Sequence, residues 1–503
     1  MKNAKLKLKN VLQPLDQVAL ALIVVLSVVT GLLLWNGDRS GPRVRNFSWQ
    51  DQRIGAEDTA FTLTFSRPMD QQSVEENLEI TPSLPGKISW AGRKMAYTLT
   101  EPAPYGTQYQ MQIKGAEDAF KSENGQGTEI QAYEGLFRTR DRAFAYIGVR
   151  GQEQGRLILY NLTQQKKLIL TPADLVVTDF KHYPNGEQIL FAANDKASQS
   201  QNLLAEQLYT VTTGLPGKDE TSPEPAGKID RVLDSKDYQN LEFDLSADGQ
   251  TIVVQRVNRR NPAEFGLWVV QGDEKPRPLG TQGGDFVLTP DSQSLAIAQG
   301  QGVAILPLTT TAAKDPLDFL PKFGMVLNFS RDGSAAAMVK FNTDYTRSLF
   351  LVTNQGVQQE LLRTTGSILD CKFTPYKETL YCLLTQLVEG EEYREDPFVA
   401  AIDLKPEANK PQENNSPLVQ PLLVLPEQRD IQISLSPDGL GLLFDQIVTA
   451  GDSLTTGLRT NEGLAIADAL LWLLPLPDME ATDEVPQLQP DQLLPGFRPR
   501  WLP

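Results

Sequence analysis

The stretch LEFDLSADGQTIVV (241–254) sets one apolar run, a polar tetrapeptide and a second apolar run end to end. That is the pattern of two short strands joined by a tight turn: Asp bonds back to the turn backbone, and Gly accepts the positive φ that closes it. The same unit recurs. Tetrapeptides of this kind stand at Tyr183-Pro184-Asn185-Gly186, Ser246-Ala247-Asp248-Gly249, Thr289-Pro290-Asp291-Ser292, Ser330-Arg331-Asp332-Gly333, Thr374-Pro375-Tyr376-Lys377 and Ser436-Pro437-Asp438-Gly439, spaced by 63, 43, 41, 44 and 62 residues. Apolar runs such as LDCKF (369–373) and GLLF (441–444) flank them. A repeat of this period means an array of supersecondary units that bury their faces against one another.

A second repeated strand interleaves with the first: LILYNL from Leu157, LYTV from Leu208, LWVV from Leu267, VAILPL from Val303, LFLV from Leu349, VAAIDL from Val399 and LLWLLPL from Leu470. These make seven, against six complete hairpin signals, and the two ends of the region account for the difference. AFAYIGV (143–149) reads as a second strand without its first, and PRWLP (499–503) as a first strand that stops before its turn. Joined, they complete one blade and leave no open sheet edge. The expectation is an all-β chain whose residues 141–503 form a seven-bladed β-propeller closed by its N- and C-terminal strands, with six blades as the alternative. The tetrapeptides and their flanking strands resemble the TolB-type and WD-repeat-like propeller families over 141–503. That resemblance speaks for the fold and is nearly silent on function, since propellers host scaffolds, hydrolases and receptors alike.

Upstream, Val18 to Trp35 reads VALALIVVLSVVTGLLLW, eighteen residues without a charge, preceded by Lys2, Lys5, Lys7 and Lys9. A helix of roughly 20 apolar residues spans a bilayer, and a basic N-terminal flank is held on the cytoplasmic side. No small-residue cleavage site closes the run. The expected layout is a basic cytoplasmic tail (1–15), a transmembrane anchor (16–36), a linker (37–45) and a β-sandwich (46–140) ahead of the propeller, with the bulk periplasmic or lumenal. Period-two runs at FTLTF (61–65), YTLT (97–100) and YQMQI (109–113) carry the sandwich. The stretch FSRPMDQQSVEENLEITP (65–82), with YGTQYQMQIKGAEDAF (105–120), resembles the SbsA-type bacterial immunoglobulin-like domain, which implies a spacer or interaction module. Pro68 and Asp70 read as shaping a turn.

Charge and composition narrow the function. Residues 1–36 hold four Lys and one Asp, so the remaining 467 residues carry 43 Lys and Arg against 62 Asp and Glu, net −19. Such a surface repels phosphate backbones, which argues against nucleic acid as a partner. Two Cys and one His leave little for zinc, haem or iron–sulfur ligation, and no metal or cofactor is expected. Walker A, G-x-G-x-x-G and G-x-S-x-G motifs are missing. The stretch IVTAGDSLTTG (447–457) matches a GDSL esterase block at 451–454, but no His follows Ser453 to activate it, and it reads as a loop. His182 precedes a turn and reads as packing or surface. Cys371 and Cys382 fall opposite each other if their hairpin turns between Tyr376 and Lys377. So do Phe373 with Leu380 and Leu369 with Leu384, and a disulfide is expected in an extracytoplasmic compartment.

Loops opposite the hairpin turns are the place for binding on a rigid scaffold. The candidates are Arg259 and Arg260, Tyr345 and Arg347, and Glu391, Glu392, Tyr393 and Arg394 in the acidic stretch EGEEYRED (389–396). The reading that follows is a non-catalytic, membrane-tethered scaffold of the bacterial envelope binding another envelope protein. An extracytoplasmic hydrolase acting on glycan or peptide, or a sensor of a small ligand in the propeller channel, are the alternatives.

Overall fold

The computed structural model describes residues 14–35, 41–121, 125–196, 205–217, 223–272, 274–300, 302–308, 318–388, 394–404, 419–426, 428, 430–450, 457–476 and 488–503. Helix α1 (Pro14–Trp35) opens the chain. Its side chains are described over 18–31, all of them exposed. Among the described residues no helix is long and apolar enough to cross a membrane. The spanning helix expected over 16–36 is not found in that sense.

Two four-stranded sheets come next. One runs in the order Val44–Phe47, Ala60–Phe65, Lys94–Leu99, Gly86–Ala91, and the other Arg53–Ile54, Tyr133–Thr139, Gln108–Ile113, Leu78–Thr81. Alternation places Phe61, Leu63 and Phe65 of one sheet and Tyr109, Met111 and Ile113 of the other in one shared core. The arrangement is a β-sandwich. Its first strand starts at Val44, inside the expected linker. The expected turn at Pro68 and Asp70 is instead a helix start: Asp70 caps helix α2 (Gln71–Asn77), its carboxylate accepting from Ser73 N at 3.1 Å.

Among the described residues beyond the sandwich, seven antiparallel four-stranded sheets follow. We number them by their innermost strands: Phe497–Trp501 (sheet 1), Leu175–His182 (2), Tyr238–Leu245 (3), Phe286–Leu288 (4), Met325–Phe329 (5), Ile368–Phe373 (6) and Ile433–Leu435 (7). In sheet 1 the C-terminal strand Phe497–Trp501 pairs with Ala143–Ile147, from the start of the region. Contacts between successive innermost strands run all the way round. Arg498 and Arg500 meet Asp179 (sheets 1 and 2) at 3.2 and 2.9 Å, and Lys181 meets Asp244 (2 and 3) at 3.1 Å. Leu288 N donates to Asp244 (4 and 3) at 3.1 Å, and Asn328 Nδ2 to Cys371 O (5 and 6) at 3.1 Å. The innermost strands of sheets 4 and 5, and of 6 and 7, pack together. Trp501 N donates to Ser434 Oγ (1 and 7) at 3.1 Å. Sheets in a closed radial ring are a β-propeller.

The sandwich sits on the hairpin-turn end of this ring. Tyr105 N donates to Asp438 at 3.0 Å, Tyr376 Oη to Leu99 O at 3.4 Å, and Arg331 pairs with Glu57 at 3.3 Å. Arg142, just ahead of the strand Ala143–Ile147, adds a second contact to Asp438 at 3.0 Å, so the fully buried carboxylate of that turn is shared between the sandwich and the start of the ring.

Cys371 and Cys382 lie opposite in sheet 6 and are joined by a disulfide, with Cα atoms 4.1 Å apart and both residues buried. The register beyond them differs from the expected one. A bulge places Ile368, not Leu369, opposite Leu384, and Leu369 turns outward, 46% exposed. One extra residue on one strand flips everything after it to the other face.

Candidate interaction face and axial channel

Because each sheet is a meander, the connections from second to third strand and from one sheet to the next share the end away from the sandwich. The second strands run further than the sequence suggested: that of sheet 7 is Gly441–Ala450 and that of sheet 6 is Thr379–Val388, so their loops begin later. Tyr345 stands on the sheet 5 loop with φ 63°, 93% exposed. Arg347, on the same hairpin, donates to Gly366 O at 3.0 Å and Thr365 O at 3.3 Å, which ties that loop to the connection leading into sheet 6. On sheet 3, Arg259 Nε donates to Ser235 O at 2.7 Å, while the Arg260 side chain is 88% exposed and 3.6 Å from Asp237. Arg394 pairs with Asp396 at 3.1 Å. Glu391, Glu392 and Tyr393, and Ser453 of the GDSL-like stretch, lie outside the described residues. The structure thus brings Tyr345 and Arg347 onto one hairpin and Arg259 and Arg260 onto another, with sheet 4 between them.

The axis of the ring is charged, and β-bulges are the reason. The innermost strands of sheets 1, 2, 3, 5 and 6 each break register once, at residues 498–499, 178, 241–242, 327 and 369. A bulge re-aims side chains that strict alternation would send elsewhere. Asp179, beside one of them, is held below the usual carboxylate range: burial alone would raise it, but Arg500, Arg498 and Lys181 outweigh burial. Arg498 itself takes φ 52° at its bulge, and its N–H donates to Asp445 at 2.7 Å. Asp445 is fully buried and also accepts from Gln432 N at 2.7 Å; desolvation pushes it up to about 7. Burial does the same to Glu206, up to about 7, and holds His182 down near 4, so that imidazole is neutral at pH 7.

Across the axis, Glu242, Asp285 and Asp370 border a cavity of about 210 Å³ floored by Phe286, Met325 and Leu327. Glu242 is exposed, but to the water of the channel, where surrounding protein and the charge of Asp285 bring it up to about 7. Among the described residues no three His, Cys, Asp or Glu side chains are grouped to hold a metal ion. Arg498 and Arg500 with Asp179, and Lys181 with Asp244, make the axis ion-paired.

No protein-family model and no curated protein matches the chain. Solved structures similar in outline include a protein described as a 6-phosphogluconolactonase from Bacteroides uniformis, 12% identical, covering 72% of this chain and 99% of its own, with a TM-score of 0.43. TolB from Acinetobacter baumannii is 11% identical, covers 90% of this chain and 86% of its own, and has a TM-score of 0.38. A protein described as TolB from Agrobacterium tumefaciens is 11% identical over 57% of this chain and 90% of its own, with a TM-score of 0.35.

The channel charges and a set of half-exposed phenylalanines on the loop face were missed from sequence. Asp179, Glu242 and Asp370 sit inside apolar strand patterns, and nothing in those patterns marks where the ladder slips. The phenylalanines had a signal, a glycine before the next sheet's first strand, as in Gly283-Gly284 and Gly324.

Proposed function

We propose that the protein is a binding module of the bacterial cell envelope, a membrane-tethered scaffold whose seven sheets act as the blades of one propeller and whose loop face receives a protein partner. The observation that carries this reading is the placement of the sandwich on the hairpin-turn end: among the described residues none of the sandwich covers the opposite end, from which Tyr345 and Arg260 project. A rigid ring with its variable loops at one open end is the usual arrangement of a recognition surface. The sandwich serves as a spacer of the SbsA-like immunoglobulin kind. The tether rests on the 22-residue helix Pro14–Trp35, whose described side chains are exposed and, apart from Ser27 and Thr30, apolar.

Capture tests it. Tagged full-length protein, cross-linked in intact cells and purified from membranes, should bring down one discrete partner. The Arg260→Glu/Tyr345→Glu variant should lose it while remaining in the membrane fraction. Equal capture by both forms would place the binding surface elsewhere, and recovery of the protein in the soluble fraction would remove the tether.

A further inference from the structure

We propose that the loop face above sheet 4 is a docking groove for an acidic, extended segment of a partner protein that carries apolar side chains. The proposal rests on the loop-face reading above and names the chemistry of what binds there.

Shape comes first. In sheet 4 only residues 300 and 301 separate the second strand Ser294–Gln299 from the third, Gly302–Pro307. On sheet 3 residues 259–264 intervene, and on sheet 5 residues 342–346. Sheet 4 is thus a low saddle between two taller loops. A trough one blade wide fits an extended chain.

The walls of the trough are apolar. Phe265, 39% exposed, lies over Gly283 on the connection from sheet 3 to sheet 4, so close that a Cβ there would sit 2.2 Å from its ring. Phe341, 57% exposed, lies over Gly324 on the connection from sheet 4 to sheet 5 in the same way, at 2.4 Å. Phe319, 44% exposed, covers Gly302 of sheet 4 itself. Each ring closes its rim on a glycine, and at each site any larger residue would push the ring away. These glycines keep three partly exposed aromatic side chains low around one saddle, with Tyr345 above them.

Charge supplies the occupant. The connections bordering the saddle and the strand ends beside them carry Arg259, Arg260, Lys322, Lys340 and Arg347 against Glu264, Asp285 and Asp344, with Asp237 3.6 Å from Arg260, a slightly positive sector on a chain of net charge −16. Two more of these acids are already engaged: Asn258 Nδ2 donates to Glu264 at 2.8 Å, and Thr346 N to Asp344 at 3.2 Å. Complementary potential and aromatic anchors together select an acidic segment with aromatic or aliphatic side chains.

The experiment is selection of random twelve-residue peptides on phage against the full chain in phosphatidylcholine nanodiscs. The enriched pool should be net negative and rich in apolar residues. Representative peptides should bind about tenfold more weakly to Arg260→Glu/Tyr345→Ala and unchanged to Arg459→Glu, which alters an exposed cation on the sheet 7 loop. A neutral or basic pool that still depends on Tyr345 would overturn the acidic groove and leave the loop-face reading standing. No pool, or one indifferent to both loop residues, would overturn both. Sedimentation of the nanodisc protein with phosphatidylglycerol vesicles, lost in the double variant, would reassign the sector to a lipid surface and overturn the proposal.

Discussion

The fourth residue of every hairpin tetrapeptide has a left-handed backbone: Gly186 (φ 74°), Gly249 (73°), Ser292 (61°), Gly333 (68°), Lys377 (61°) and Gly439 (77°). Two of the six are not glycine, a choice that costs on the order of 1 kcal/mol. Both side chains reach the preceding turn. Ser292 Oγ accepts from Asp248 N at 3.0 Å, and Lys377 Nζ meets Asp332 and Ser334 at 2.6 Å. At Gly249, Gly333 and Gly439 the preceding turn's proline closes over the glycine, as Pro375 does within 3.1 Å of where a Cβ of Gly439 would stand. Gly439→Ala therefore meets both an unfavourable φ and a proline ring. It should lower stability by about 1–3 kcal/mol in urea unfolding. Gly300→Ala, at φ 57° with open space around it, should cost only the backbone share of about 1 kcal/mol. The turns were legible because Pro, Asp and Gly have fixed backbone preferences. The opening Ser or Thr was not credited, yet Ser246, Ser330 and Ser436 each accept the N–H five residues on, at 2.9 Å.

At the scale of the element, the closing strand Phe497–Trp501 holds the ring with few residues. Trp501 is 3% exposed and packs edge-on against Phe144 of the neighbouring strand, centroids 5.7 Å apart, within a cluster that includes Leu443 and Leu471 of sheet 7. Removing a buried indole there should cost about 3–5 kcal/mol. Trp501→Ala is thus expected to yield a full-length chain that unfolds at markedly lower urea and is cut by protease within sheet 1; an unchanged midpoint would mean that this strand does not close the ring. The strand was readable because aromatic residues alternate with polar ones beside a run that lacked a partner. Its bulge was not. Arg498 takes positive φ only because Asp445 and Asp179, distant in sequence, hold its amide and its guanidinium. Short elements without strong periodicity were missed for the same reason: Arg53–Ile54 and Val44–Phe47 are strands by pairing with neighbours rather than by their own pattern.

For the molecule as a whole, acids whose surroundings disfavour their charge set the pH at which it is most stable. Asp445, Glu206 and Glu242 are each brought up to about 7, so between pH 7 and about 4.5 the folded chain holds protons that the unfolded chain has released. Stability therefore rises as pH falls through 7. His182, held near 4, opposes this below pH 6.5, as one group against three. Below pH 4 the sign turns. Asp179, Asp248 and Asp332 are held below the ordinary carboxylate value in the folded state, and their stabilisation is lost as they protonate. Thermal unfolding of the full chain in detergent should accordingly show a maximum near pH 5, higher than at pH 8; a melting temperature that falls steadily from pH 8 to 5 would contradict these burials.

The central claim is that one end of the ring is covered by the sandwich and the other is open to a partner. The most direct measurement places a photoreactive phenylalanine derivative at Tyr345 or at Tyr376 in cells and maps the products by mass spectrometry. From Tyr376, whose hydroxyl lies 3.4 Å from Leu99 O, the link should be internal, to the sandwich around Leu99. From Tyr345 it should reach another polypeptide. Intermolecular products from Tyr376, with none from Tyr345, would mean that the partner binds the turn end and that the domains are not arranged as described.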